Sequence, residues 1–294
     1  MIVAVVGPTA SGKSALAIEL ASRLNGEVIN ADAMQIYRGM DIGTGKPTLA
    51  QRATVPHHVF DVWPVGHPVS VAEYQQVARV ALDDVLSRGR TAIVVGGSWL
   101  YVRALLDELN FPGTDAEVRA RWEQRLHSEG ASVLHAELAQ RDPAAAIAIM
   151  PSNGRRIVRA LEVIEITGQP FTANLPREST RYPATYVGLD VPRDVLDERI
   201  ADRVAVMWAS GWIDEVRGLP ELAASPTAVM ALGYPQVLAF LAGEIDEQTA
   251  RDETVRLTRK FARRQDRFFR RDERVQWLAY DGRDVLDQAL LICT

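Results

Sequence analysis

An apolar run, Ile2-Val3-Ala4-Val5-Val6, leads straight into Gly7-Pro8-Thr9-Ala10-Ser11-Gly12-Lys13-Ser14, and a helical apolar period follows. Strand, glycine loop and helix in that order make a P-loop, and such a loop functions only inside an α/β layer that supplies both flanking elements. The glycines let successive backbone N–H groups point into one concavity, the helix adds its positive dipole end, and Lys13 adds a full charge. A phosphorylated ligand is therefore implied. Ser14 is the position that would hold Mg²⁺.

The chain has 294 residues, 47% hydrophobic and 24% charged, enough for one large domain or a core with an insert. No apolar run approaches the roughly 20 residues of a bilayer span. The opening apolar segment has no basic residues before it and runs into the loop, so it reads as a core strand and not a signal peptide. Cys293 is the single cysteine, which excludes an intrachain disulfide and a cysteine metal cage and fits a reducing cytoplasm. Net charge is −5, which argues weakly against nucleic acid, but its distribution argues the other way. Between Arg251 and Arg274 ten basic residues face five acids, a local +5 that leaves −10 for the remainder.

Strand patterns fall at Ile2 to Val6, Glu27 to Asn30, His58 to Val62, Thr91 to Val95, Thr185 to Leu189 and Val275 to Leu278. Helical periodicity separates most of them, at Lys13 to Leu24, Ser70 to Ser87, Trp99 to Leu106, Arg193 to Ala209 and Glu247 to about Arg270. The expectation is an α/β fold with a parallel P-loop sheet. From Asp115 to Arg181 the strand pattern vanishes, and four helical stretches appear: Ala116 to Ser128, Ser132 to Gln140, Pro143 to Ile149 and Asn153 to Thr167. The predicted organisation is a core of residues 1–114 and 182–294 with a helical insert at 115–181, flanked by loops at 110–114 and 168–183.

A nucleotide-hydrolysing P-loop protein pairs the loop with a second strand that ends in Asp. Here Ala92-Ile93-Val94-Val95 ends in Gly96-Gly97-Ser98, with no acid. An Asp instead closes the second strand, in Asn30-Ala31-Asp32-Ala33-Met34-Gln35. The carboxyl ends of parallel strands face the ligand crevice, which places Asp32 and Ser98 toward the P-loop. Position alone leaves Asp32 open between a base and a turn residue. The five histidines show no spacing suited to a metal.

Several segments together carry a specific likeness: GPTASGKS (Gly7 to Ser14), DAMQIYRGMDIGTGKP (Asp32 to Pro47), VGGSWLY (Val95 to Tyr101), RRIVRALEV (Arg155 to Val163), RIADRVAVMWASGW (Arg199 to Trp212), ALGYPQ (Ala231 to Gln236) and TRKFARRQ (Thr258 to Gln265). With them the chain resembles the tRNA dimethylallyltransferases (tRNA isopentenyltransferases) from the P-loop to the last long helix. The resemblance implies transfer of a dimethylallyl group from its diphosphate to N6 of adenosine 37, in tRNAs that read codons beginning with U. It implies Asp32 as the base that takes the N6 proton, and a P-loop that holds a prenyl diphosphate in place of ATP. Thr9, Lys13, the loop amides and Arg203 would then meet the departing diphosphate, with Mg²⁺ at Ser14.

An adenine stacked in an anticodon loop has to be extruded to reach a buried base, at a cost of a few kcal/mol. The resemblance puts Asp32, Ala33, Met34, Gln35 and Ser98 against the extruded base and its neighbours. It puts tRNA contacts at Arg119, Arg155, Arg156 and Arg159 in the insert, and at Arg259, Arg263 and Arg264 in the basic helix. The chain departs from the family pattern at Ser98, usually Thr, at Trp99, often Gly or Met, and at Met230 and Pro235, basic in some members. Nothing demands more than a monomer. Three other readings stay open: prenylation of free AMP, ADP or ATP, a P-loop small-molecule kinase, and a non-catalytic RNA-binding protein.

Overall fold

The computed structural model describes residues 1–174, 179–282 and 284–293. In chain order the elements are β1 (Ile2–Val6), α1 (Lys13–Arg23), β2 (Gly26–Asn30), α2 (Leu49–Arg52), β3 (His57–His58), α3 (Val71–Ser87), β4 (Thr91–Gly96), α4 (Trp99–Leu106), α5 (Ala116–Glu129), α6 (Ala131–Arg141), α7 (Pro143–Ala148) and α8 (Gly154–Thr167). They continue with β5 (Thr185–Asp190), α9 (Arg193–Ala209), α10 (Trp212–Arg217), α11 (Tyr234–Leu241), α12 (Glu247–Phe269), β6 (Val275–Ala279) and α13 (Val285–Cys293).

The six strands form one parallel sheet in the order β3-β2-β4-β1-β5-β6. β1, β2 and β4 are buried along their whole length, which is why they read as unbroken apolar runs and not as alternating ones. α1 covers one face through Leu16, Ala17, Leu20 and Ala21, packed with Val3, Val5, Ile93 and Val187. β1 lies between β4 and β5, so the loop after it opens beside the ends of β2 and β4, where chain order across the sheet reverses.

The strand expected at His58 to Val62 contracts to His57–His58. Val59 and Asp61 turn to φ 65 and φ 55, out of the extended region. The Asp61 carboxylate causes this: it takes Lys46 Nζ at 2.5 Å and Arg52 Nη1 at 2.6 Å, pulling the chain away from β2.

The chain divides into two compact units, Met1–Leu106 with Arg181–Thr294, and Asp107–Thr180. The second begins eight residues before the expected boundary because Asp107 and Thr180 form an antiparallel bridge and Glu108 N–H donates to Ser179 O at 2.8 Å. Of the expected flank at 168–183, residues 175–178 lie outside the described residues. Three of the four α-helices of this unit start at a side-chain cap. Asp115 accepts from the Glu117 and Val118 amides, Asp142 caps α7 ahead of Pro143, and Asn153 caps α8. Trp122, Leu134, Leu138, Ile157 and Leu161 make its core.

Glu162 is fully buried in that second unit. Its carboxylate receives Arg119 Nη2 at 2.6 Å and Arg159 Nη1 at 2.9 Å, and Arg159 also donates to Pro112 O and Gly113 O. Removing one partner of a buried ion pair leaves an uncompensated charge, so these two arginines hold the unit together. Arg155 and Arg156 are exposed and have no ion pair among the described residues.

Candidate active site

The P-loop, the end of β2, the end of β4, α9 and α12 converge on one cavity of about 760 Å³. Thr9, Asp32, Ala33, Met34, Ser98 and Arg203 line it, together with Arg263, Arg264 and Gln265 of α12. A tight crevice below it is lined by Thr9, Lys13, Ser14, Asp32, Gln35 and Arg203. Asp32, Thr9 and Arg203 thus touch both spaces, and the phosphate-binding end joins the larger cavity through them.

Asp32 is held in a tight local turn. Its N–H donates to Asn30 Oδ1 at 2.9 Å, and its own Oδ1 accepts the Met34 N–H at 3.0 Å. Asn30 is fully buried and donates onward to Val59 O at 3.0 Å, while its carbonyl accepts the Tyr74 hydroxyl at 2.9 Å. The turn is therefore anchored from β2 downward, and the second Asp32 oxygen is left for the cavity. The Ala33 N–H donates to Ser98 Oγ at 3.2 Å, joining the ends of β2 and β4.

Lys13 folds back so that Nζ donates to Pro8 O at 3.1 Å. Burial of the ammonium lowers its pKa to about 8, against the raising effect of the Asp32 carboxylate, and Arg203 lowers it further. Burial also lowers the Arg203 pKa, again opposed by Asp32. Two cations that share a desolvated pocket with one carboxylate form an oxyanion trap: a bound anion relieves their mutual repulsion.

Arg203 reaches the site across Gly45, whose φ is +63. A Cβ at that position would lie 1.8 Å from Arg203 Nη2, so the guanidinium occupies the space a side chain would need. The loop that carries Gly45 is fixed from behind by Glu215 of α10. Its Oε2 accepts the Asp41 N–H at 2.8 Å and the Ile42 N–H at 2.6 Å, while Oε1 accepts the Gly43 N–H at 3.2 Å and the Tyr234 hydroxyl at 2.7 Å. Gln35 donates to Thr44 O and Gly45 O from the other side, which commits its amide protons to the loop.

Gln265 escaped the sequence reading although it ends one of the quoted segments. It is buried, its Oε1 accepts the Thr9 N–H at 2.9 Å, and its Nε2 donates to Gly97 O at 2.8 Å. Those partners stand 256 and 168 positions away, beyond any local pattern. The Thr9 amide is thereby taken, and the P-loop amides free for a ligand come from later in the loop.

The α12 arginines divide. Arg259 donates to Asp197 O at 2.9 Å and Arg263 to Asp197 Oδ2 at 3.0 Å, whereas Arg264 lies 5.2 Å over the Phe261 ring. Trp99 stacks on Phe268 at 5.5 Å, with Arg103 over it at 4.7 Å. Met230 is exposed at the cavity edge.

Chemically, this arrangement can bind an oxyanion at Lys13 and Arg203 and accept a proton at Asp32 within one enclosure. No group of three or more His, Cys, Asp or Glu suited to a metal occurs among the described residues. No described helix is long and apolar enough to cross a membrane.

Comparison with known proteins gives a consistent picture. A protein of Thermobifida fusca named tRNA dimethylallyltransferase is 58% identical over 99% of this chain and 94% of its own length. Another of that name from Streptomyces griseus is 60% identical over 96% and 91%. A crystal structure of a full-length tRNA isopentenylpyrophosphate transferase from Bacillus halodurans superposes with a TM-score of 0.73 at 38% identity, covering 99% of this chain and 95% of that one. A eukaryotic dimethylallyltransferase captured acting on tRNA has a TM-score of 0.83 at 26% identity, with 95% of this chain and 74% of that one covered. The family model described as IPP transferase matches residues 35–272. With a P-loop sheet, a helical second unit and relatives of this identity along nearly its whole length, the chain belongs to the IPP transferase family.

Proposed function

We propose that the protein transfers a dimethylallyl group from dimethylallyl diphosphate to N6 of adenosine 37 in tRNAs reading codons that begin with U. The observation that carries this reading is the placement of Asp32 at the end of β2, in one crevice with Lys13 and Arg203, while β4 ends without an acid. That layout serves an anionic leaving group and a proton acceptor, and it lacks the Asp that a nucleotide hydrolase uses on the neighbouring strand.

The steps follow from the side chains. Lys13, Arg203 and the later P-loop amides bind the diphosphate and stabilise the charge that grows on it as the carbon–oxygen bond breaks. Adenine N6 is a weak nucleophile because its lone pair is delocalised into the ring, so proton removal must accompany attack on the allylic carbon. Asp32 takes that proton on the oxygen not held by Met34. Ala33, Met34 and Ser98 border the place of the extruded base. The roughly 760 Å³ cavity accommodates a nucleobase with a five-carbon chain.

A divalent cation suits the donor present. Ser14 is exposed and lines the crevice with Lys13 and Arg203, and its hydroxyl is a hard oxygen that matches an ion held mostly by phosphate oxygens and water. Mg²⁺ at Ser14 would offset diphosphate charge. The protein acts as a monomer in this reading.

The decisive assay incubates the protein with Mg²⁺, dimethylallyl diphosphate and an anticodon stem-loop with adenines at positions 36 to 38, with AMP as a parallel acceptor. Mass spectrometry should find one five-carbon unit on the RNA and none on AMP. Modified AMP with untouched RNA would move the activity to free nucleotides.

Phosphate contacts to the RNA are assigned to Arg155 and Arg156, the exposed pair of α8, and to the α12 arginines. Changing Arg155 and Arg156 together to Gln should weaken stem-loop binding and reduce the slope of log affinity against log salt by about 0.7–0.9 per lost contact. Arg159→Gln should instead lower the melting temperature with little change in slope, because its guanidinium serves Glu162. An unchanged slope in the double variant would put the RNA elsewhere.

A further inference from the structure

We propose that Gln265 is a positioning residue for the donor site, holding the P-loop entry against the end of β4 from the basic helix α12. The argument starts from what a carboxamide can do. The Thr9 N–H can only donate and the Gly97 carbonyl can only accept, so the Gln265 amide has one permitted orientation, and in it both ends are satisfied. A leucine of similar size fills the space and serves neither group. A carboxylate serves the first and opposes the second.

The surroundings leave no room for a substitute. A Cβ on Gly97 would lie 2.3 Å from Gln265 Nε2, so the strand end comes close enough only because the residue there is glycine. Gln265 itself is nearly fully buried. Its neighbours Arg264 and Arg267 line the larger cavity, so one turn of α12 faces the acceptor side and grips the phosphate-binding loop at once.

The consequence falls on Thr9. With its amide drawn to Gln265, the Thr9 side chain stands where the two spaces meet, and Ser11, Gly12 and the start of α1 follow from that anchor. Loss of the anchor leaves the half-buried Thr9 N–H without its partner and lets the loop entry relax, which degrades the fit to a diphosphate while the α12 arginines stay on their surface. This inference rests on the reading that the P-loop holds the donor diphosphate.

The test uses the full chain and two variants, Gln265→Leu and Gln265→Glu. Calorimetric titration with inorganic diphosphate and Mg²⁺ should show binding weakened about tenfold in Gln265→Leu. Steady-state kinetics should show a matching rise in KM for dimethylallyl diphosphate and a lower kcat, with KM for the stem-loop within about twofold of wild type. Gln265→Glu supplies a readout that packing alone would not move. Ionised, it repels the Gly97 carbonyl; protonated, it accepts from Thr9 and donates to Gly97. Its diphosphate affinity relative to wild type at the same pH should therefore recover as pH falls.

Equal losses for diphosphate and RNA in Gln265→Leu would make the residue a packing element of α12 and overturn the proposal. So would wild-type diphosphate binding by that variant, or a Gln265→Glu ratio that does not vary with pH. Absence of diphosphate binding in the wild-type protein would sink the functional reading and this inference together. Normal wild-type binding with an indifferent Gln265 would sink only the latter.

Discussion

Asp32→Asn should reduce the single-turnover rate of prenyl transfer by about 10²–10⁴-fold while stem-loop affinity stays within about twofold, the signature of a lost general base. The asparagine is the informative choice because the amide oxygen can still accept the Met34 N–H, which Asp32 Oδ1 accepts at 3.0 Å. The turn that aims the side chain survives, and what disappears is the carboxylate oxygen proposed to take the N6 proton. Asp32→Ala removes both, so it should add a loss of binding that the asparagine does not show. The carboxylate also faces Lys13 and Arg203, and removing it leaves two desolvated cations unbalanced. Diphosphate should consequently bind Asp32→Asn at least as tightly as wild type, even as turnover collapses. Parallel losses in rate and RNA affinity would take the base away from Asp32.

The second large effect is expected from a residue with no side chain. Gly45→Ala places a methyl group where Arg203 Nη2 now sits, at a built distance of 1.8 Å, with φ at +63 adding strain. Backbone there is pinned by Glu215 and Gln35, so the flexible guanidinium yields instead of the loop. Displacing one charged donor from the leaving group should lower kcat by about 10²–10³-fold, close to the effect of Arg203→Ala. Combining the two substitutions should add little, because both remove the same interaction. A Gly45→Ala protein with normal kcat would mean that Arg203 does not act on the diphosphate from this position.

Much of the core was readable because its signals are local. β1, β2 and β4 are buried on both faces and so appear as apolar runs, and the P-loop sits at the one place where such a run meets Gly-Lys-Ser. α12 declared itself through charge. What escaped depends on partners far along the chain. The strand expected through Val62 stops at His58 because Lys46 and Arg52 capture Asp61, an ion-pair arrangement that β-propensity does not encode. Glu215 looks like an ordinary helix carboxylate until its three loop amides are seen. The arginines of the second unit looked equivalent in sequence, yet Glu162 takes Arg119 and Arg159 and leaves Arg155 and Arg156 free for other work. A basic residue on a helix states a charge and not its use. Burial of the opposing carboxylate decides which arginines are structural.

The stitching at the ends of the second unit reaches beyond this one molecule. On the core side, the Leu106 carbonyl accepts both the Arg181 and Tyr182 amides at 3.0 Å, and on the insert side Asp107 bridges Thr180. Each unit thus closes its own backbone at the crossing, leaving one covalent strand in and one out. Such a segment behaves as a cassette: lengthening it, recharging it or exchanging it draws on loop-closure entropy that grows only slowly with length. On the proposed reading, in which this unit grips RNA, selection can retune that grip without disturbing the chemistry of the sheet, and mutations within the cassette carry little penalty in the larger unit.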